Sequence, residues 1–112
     1  MGKIEYNFGF LSEDKATEFL KKSGFEILER NFHSKFGEID IIAKKDEILH
    51  FFEVKSTSKN YETIYRINNS KIKKILKTID FYMLKNKISF DYQLDAVLLQ
   101  NGNIEIVENL TL

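Results

Sequence analysis

The sequence predicts an α/β domain in which a mixed β-sheet is flanked by helices, with elements in the order α-β-β-β-α-β-β. Three observations carry this prediction. Two segments place their apolar residues at helical spacing, five are short and β-compatible, and the polar run Lys44-Lys45-Asp46-Glu47 separates two of those five as a hairpin turn would. With 112 residues, 43% of them hydrophobic, and ten Phe, the whole chain (1–112) fits one domain that buries roughly two-thirds of its unfolded surface.

The first helix is expected over Leu11 to Ser23, where Glu13, Ala16, Thr17 and Leu20 stand at i, i+3, i+4 and i+7, and Gly24 is its C-terminal stop. Three strands follow: Phe25 to Asn31, Gly37 to Ala43 and Ile48 to Lys55. Ser56 to Asn60 has loop composition, and Tyr61 to Ile67 reads equally as loop or short strand. A second helix runs from Ser70, which fits the N-cap, to Lys85; Ile72, Ile75, Leu76, Ile79 and Met83 form its apolar stripe. Tyr92 to Leu99 and Asn103 to Val107 are strands joined through an Asn101-Gly102 turn.

Composition removes many chemistries. Without cysteine there is no thiol nucleophile, thiolate zinc site or disulfide, which agrees with a reducing cytoplasm. Five glycines at 2, 9, 24, 37 and 102 cannot make a phosphate-binding or dinucleotide loop. His33 and His50 form no His-Glu-x-x-His and no Gly-x-Ser-x-Gly elbow exists, so zinc-protease and serine-hydrolase templates fail, and each His is expected at the surface or on an edge strand. No apolar run reaches membrane-spanning length, and the chain start is not a secretory signal, so a cytoplasmic location without membrane contact is expected. Net charge is zero, so attraction for nucleic acid would have to be local. Lys71, Lys73, Lys74 and Lys77 supply such a patch, whereas Glu38, Asp40, Asp46, Glu47 and Glu53 gather in the middle of the chain.

What remains is carboxylate and lysine chemistry, which suits a hard divalent cation such as Mg²⁺. If Asp46-Glu47 is a two-residue loop, Lys45 faces Ile48 and Asp40 falls opposite Glu53. Lys55 then shares their face, while Ile39, Ile41, Phe52 and Val54 line the apolar one. Opposed like charges repel, so a bound cation gives the pair a reason to exist. Glu13-Asp14-Lys15 repeats the Glu-x-Lys spacing on a helix, where i and i+2 point about 200° apart and cannot converge on one ion. Glu13 itself faces the core side and needs a partner, either as a third site carboxylate or through a hydrogen bond to Lys55.

Each feature also has a plain reading. Asp40, Glu53 and Lys55 are alternatively solvated sheet surface, Glu13 a helix N-terminal acid, and the four lysines the wet face of an amphipathic helix. Asp95, inside Leu94 to Leu99, is either paired, for example with a lysine of the preceding helix, or functional.

Gly9-x-x-Ser12-Glu13-x-x-Ala16, Gly24-Phe25-x-Ile27-Leu28-x-x-Asn31, Gly37-Glu38-Ile39-Asp40, Phe52-Glu53-Val54-Lys55, Lys71 and Leu94-Asp95-x-Val97 resemble, in order and spacing, the bacterial UPF0102 (YraN) family. The resemblance spans nearly the whole chain. It implies a restriction-endonuclease-like fold of the PD-(D/E)XK nuclease-like superfamily, and the helix-Glu, strand-Asp, Glu-x-Lys order is also similar to archaeal Holliday junction resolvases. By that resemblance Asp40 and Glu53, with the backbone carbonyl of Val54, would hold Mg²⁺ or Mn²⁺. Lys55 would orient or deprotonate the attacking water or stabilise charge on the phosphate, and Glu13 would complete the acidic pocket. Lys71 would contact phosphate or pair with an acid, Lys73, Lys74 and Lys77 would extend the nucleic-acid contact, and Glu38 and Asp95 would support the ligands from behind. The family commonly has Gly at the position of Ser12, a basic residue at Thr57 and Arg at Gln93, and the loss of two cations lowers the expected phosphate affinity. The implied activity is metal-dependent phosphodiester hydrolysis in nucleic acid, DNA first, on branched substrates in repair or recombination. A two-fold homodimer would serve cutting of two strands. The competing expectations are a non-catalytic nucleic-acid-binding module and a protein-interaction domain.

Overall fold

The structure, a computed structural model, describes residues 2–56, 69–89 and 91–111, with side chains from Ser12 in the first helix and from Ser70 in the second. The chain runs α1 (Gly2–Lys22), β1 (Glu26–Ser34), β2 (Gly37–Lys45), β3 (Ile48–Ser56), α2 (Asn69–Lys85), β4 (Asp91–Gln100) and β5 (Asn103–Val107). The expected element order is therefore observed. The strands form one mixed sheet in the order β1-β2-β3-β4-β5, antiparallel except for β3 and β4. That parallel pair is the one whose connection contains α2, because parallel neighbours need a crossover. Thr57 and the segments Thr57 to Asn60 and Tyr61 to Ile67 lie outside the described residues.

Three boundaries differ from expectation. α1 begins at Gly2 rather than Leu11, since backbone hydrogen bonding continues beyond the apolar stripe that marked its predicted start. β1 runs on to Ser34, where Ser34 pairs with Gly37 and its hydroxyl receives the Phe36 N–H at 3.1 Å, closing a turn at Lys35-Phe36. α2 starts at Asn69, so Ser70 stands inside the first turn instead of capping it.

Gly24 ends α1 as expected, and the geometry says why glycine is there. At φ 95° it lets the Phe25 N–H reach the Leu20 carbonyl (3.0 Å) and its own N–H reach that of Lys21 (3.1 Å), the paired bonds of a Schellman cap. Leu20 and Phe25 then pack in one apolar cluster. α2 ends with the same two bonds, Ile88 to Met83 (2.9 Å) and Lys87 to Leu84 (3.2 Å), but a lysine holds the left-handed position at φ 53°. The β2–β3 loop is the two-residue Asp46-Glu47 turn, both residues with positive φ, and Lys45 faces Ile48. Asn101-Gly102 makes the corresponding turn between β4 and β5.

The sheet separates two cores. Against α1 lie Ala16, Leu20, Phe25, Ile41, Ala43, Phe52 and Val97; against α2 lie Phe32, Ile39, Ile42, Leu49, Phe51 and Leu94 with Ile75, Ile79 and Tyr82. Strict alternation places Ile39 with Ile41, Phe52 and Val54, yet it joins Phe32 on the α2 side. Where the change of face occurs, the neighbouring strand carries Asn31 in the left-handed region (φ 53°), between the pairs Arg30 with Ile41 and Phe32 with Ile39.

A second departure positions the site. Pairing of β2 with β3 follows the expected register up to Ile41 opposite Phe52 and stops there, one step before Asp40 and Glu53. Among the described residues, Gly37 to Ile39 pair only with β1, and Glu53 to Ser56 only with β4. The two strands fork, and α2 lies across the fork: a Cβ on Gly37 would come within 3.3 Å of the Thr78 hydroxyl and 3.7 Å of the Lys74 backbone.

Candidate functional site

A cavity of about 390 Å³ opens in this fork, lined by Gly37, Glu38, Asp40, Glu53, Val54 and Lys55 of the strands and by Lys71, Lys74 and Ile75 of α2. Asp40 spans the fork. Its Oδ2 accepts the Val54 N–H at 2.8 Å, replacing the ladder bond that the parting strands forgo. Because a strand residue directs its N–H and C=O to the same side, the Val54 carbonyl also points toward β2 and the cavity it lines. Glu53 is buried, and its Oε2 stands 3.5 Å from the Lys71 ammonium and 3.8 Å from that of Lys55.

Electrostatics follow from the enclosure. Burial pushes the Asp40 carboxyl above its ordinary range, opposed by the Val54 N–H. Burial does the same to Glu53, reinforced by the Asp40 charge and opposed by Lys71 and Lys55. Lys55 is lowered, first by its hydrogen bond to Lys71 and then by burial, while the same bond raises Lys71. The floor thus concentrates negative charge that its surroundings favour neutralising, next to two cooperating amines.

The chemistry of this donor set suits a small hard cation. Among the described residues no three His, Cys, Asp or Glu side chains group around one point. Two carboxylates and an inward carbonyl are nevertheless the donors with which Mg²⁺ is commonly held, the remaining positions going to water and substrate phosphate.

The other expected site residues fall in different places. Glu38 lines the cavity rim, exposed and 3.1 Å from the His33 Nδ1. Lys74 lines the cavity, whereas Lys73 and Lys77 are exposed along α2. Glu13 is half-buried outside the cavity lining: its Oε1 accepts from Asn31 Nδ2 at 2.8 Å and Arg30 Nε at 3.3 Å, and Arg30 also holds Asp14 at 2.7 Å. Its partner is β1, not Lys55. Asp95 is fully buried and pairs with His50 Nδ1 at 2.7 Å, rather than with a helix lysine, while Gln93 (3.0 Å) and the Asn109 N–H (2.9 Å) donate to its other oxygen. His50 is accordingly a core residue of a central strand, stacked on Phe52 and edge-on to Phe25, not a surface histidine. One signal of this pair was available: His50 and Asp95 each interrupt an apolar strand, and two such polar residues in adjacent strands satisfy one another.

The profile of the uncharacterised protein family UPF0102 matches residues 12–99. The chain belongs to the UPF0102 family. It is 63% identical over 113 residues to a UPF0102 protein of Campylobacter concisus strain 13826, with all of both chains covered. A UPF0102 protein of Campylobacter hominis is 62% identical over 112 residues, again covering both chains completely. One of Campylobacter fetus subsp. fetus is 58% identical over 111 residues, 99% of each. The UPF0102 match takes in α1 from Ser12, both arms of the fork, α2 and nearly all of β4, so every residue of the cavity and the His50–Asp95 pair fall inside it, and β5 and Asn109 fall outside.

Proposed function

We propose that the fork between β2 and β3 is the active site of a divalent-metal-dependent nuclease that hydrolyses nucleic-acid phosphodiesters. The observation that carries this is the meeting of Asp40, Glu53 and the Val54 carbonyl at the floor of an open cavity edged by Lys55, Lys71 and Lys74. Asp40, Glu53 and the Val54 carbonyl would hold Mg²⁺ or Mn²⁺, which when bound supplies a more acidic water and positive charge for the phosphate. Glu53 and Asp40 keep the two amines within the cavity by charge. Lys55 stands on the strand beside Glu53, where it orients a water against the phosphorus, and Lys71 and Lys74 approach from α2, where they neutralise phosphate oxygens. DNA, including branched forms met in repair and recombination, is the substrate class to try first.

The test is cleavage of flapped, branched and single-stranded DNA with Mg²⁺ or Mn²⁺, by wild type, Asp40→Asn and Glu53→Gln. Metal-dependent cleavage that falls by about 10²-fold or more in both variants is expected. Metal-independent cleavage, or cleavage indifferent to both substitutions, overturns the assignment; salt-sensitive binding with no cleavage on any substrate replaces it with a binding module.

A further inference from the structure

Beyond the cavity, one stretch of surface combines cations with an exposed aromatic ring, Phe81, and a half-buried one, Phe36. On α2, Lys74, Phe81 and Lys85 fall within about 40° of one another around the helix axis, with Lys77 beside them. Together they extend about 16 Å from the cavity edge. Phe81 is 37% exposed, an uncommon state for so large an apolar ring. Its centroid lies 6.3 Å from that of Phe36 in the β1–β2 turn, and Lys35 sits over Phe36 with its ammonium 5.2 Å from the ring centre. The lysine of the helix's last turn, Lys85, reaches back over Phe32 at 6.0 Å. Asp80, the one acid of α2, points about 100° away from Phe81. The strip joins the cavity at both edges, because Lys74 lines it and Gly37 and Glu38 follow Phe36 directly.

From this we infer that the strip formed by α2 and the β1–β2 turn is a track for a single-stranded segment of nucleic acid, which it feeds into the Asp40–Glu53 cavity. The inference rests on the nuclease reading for its endpoint and deepens it by naming the substrate class as unpaired strands. The lysines alone would serve any polyanion. The rings decide, because a duplex keeps its base faces stacked inside and presents phosphate and sugar, whereas an unpaired strand offers faces that stack on Phe81 and Phe36 while its phosphates meet Lys74, Lys77 and Lys85. Lys35, already over Phe36, adds the cationic partner that such a platform uses.

The experiment measures fluorescence anisotropy of labelled oligothymidylate and of a blunt duplex of equal length in EDTA, with wild type, Phe81→Leu, Phe81→Tyr and Lys77→Ala. Leu keeps an apolar side chain against Phe32 and Phe36, and a melting curve for each variant separates lost folding from lost binding. Tighter binding of the single strand is expected, weakened about 5- to 150-fold by Phe81→Leu, retained by Phe81→Tyr, and with the salt slope reduced by about 0.7 in Lys77→Ala. Equal or tighter duplex binding, no binding of either probe, or a folded Phe81→Leu with wild-type affinity overturns the track. The two readings fail separately: single-strand binding without metal-dependent cleavage defeats the nuclease and leaves the track, and cleavage with Phe81→Leu binding intact does the reverse.

Discussion

Asp40→Asn is expected to make the folded protein more stable at neutral pH while abolishing the proposed activity. Asp40 gives the fold one hydrogen bond, from its Oδ2 to the Val54 N–H at 2.8 Å, and an asparagine oxygen in the same place accepts the same donor. What the substitution removes is a charge in a poor environment, where burial outweighs the Val54 bond and the nearby lysines and raises the carboxyl. It also removes the charge that helps raise Glu53. A net gain on the order of 1 kcal/mol is expected, as when activity-bearing strain is relieved. Unfolding entropies near 2.1 cal/mol/K per residue then give, for 112 residues, a rise of about 4 °C in Tm. The pH dependence fixes the cause. A carboxyl whose folded pKa is raised binds more protons folded than unfolded, so its contribution to stability is present below the ordinary value of 3.8 and is lost as pH rises through the raised one. The advantage of Asp40→Asn is therefore smallest below the ordinary value of 3.8, grows as pH rises above it, and levels off once pH passes the raised value. Calorimetric melts of both proteins across that range test this. A variant less stable than wild type at neutral pH, or a gain that does not change with pH, refutes the reasoning.

Three further perturbations probe the scaffold. Lys87→Gly relieves a left-handed lysine at the α2 cap (φ 53°) and should raise stability by about 0.5–1 kcal/mol in urea denaturation, against no change if the cap is frayed. Asp95→Ala strips His50, Gln93 and the Asn109 N–H of their acceptor and should cost about 3 kcal/mol in the same assay, while leaving calorimetric Mn²⁺ titration of the folded protein unchanged because Asp95 is outside the cavity lining. Gly37→Val drives side-chain atoms toward Thr78 and the Lys74 backbone and should cost about 1–3 kcal/mol, with weaker nucleic-acid binding as α2 is pushed off the fork.

Much of this molecule was legible in its sequence where a local rule applies. Element order, the Gly24 cap, the two-residue hairpin and its register, and the Asn101-Gly102 turn each depend on residues adjacent in the chain. Contacts set by tertiary geometry were not legible. Strict alternation puts Ile39 with Ile41, whereas it packs with Phe32 on the α2 side, and nothing local announces that break of alternation or the positive φ of Asn31 in the neighbouring strand. Glu13 needs a partner, but that Arg30 and Asn31 rather than Lys55 supply it follows from how α1 lies across the sheet, which no local pattern announces. For Lys71 the resemblance implies a contact with phosphate or with an acid, and it does stand 3.5 Å from Glu53; which acid, and the added contact with Lys55, depend on where the crossover helix lands.

The β2–β3 ladder keeps the expected register up to Ile41 and Phe52 and ends one step before Asp40 and Glu53, and that ending is what opens the cavity. Had the ladder continued, Asp40 and Glu53 would sit side by side on a flat sheet with every backbone group paired and no volume between the strands. Ending the ladder at Ile41 and Phe52 leaves a strand edge inside the protein, and an interior edge is costly unless its N–H and C=O groups find partners. The Asp40 side chain answers the Val54 N–H, which turns a backbone deficit into a fixed carboxylate on the side of Val54 that faces the cavity. A cation held there, as proposed, would offset the Asp40 and Glu53 charges that burial opposes, and would couple fold stability to ligand binding at one place. It follows that Mn²⁺ should raise the Tm of wild type in proportion to the logarithm of its concentration above Kd, and should leave Asp40→Asn where it was. Equal shifts in both proteins would place the ion elsewhere and remove the fork from consideration as its site.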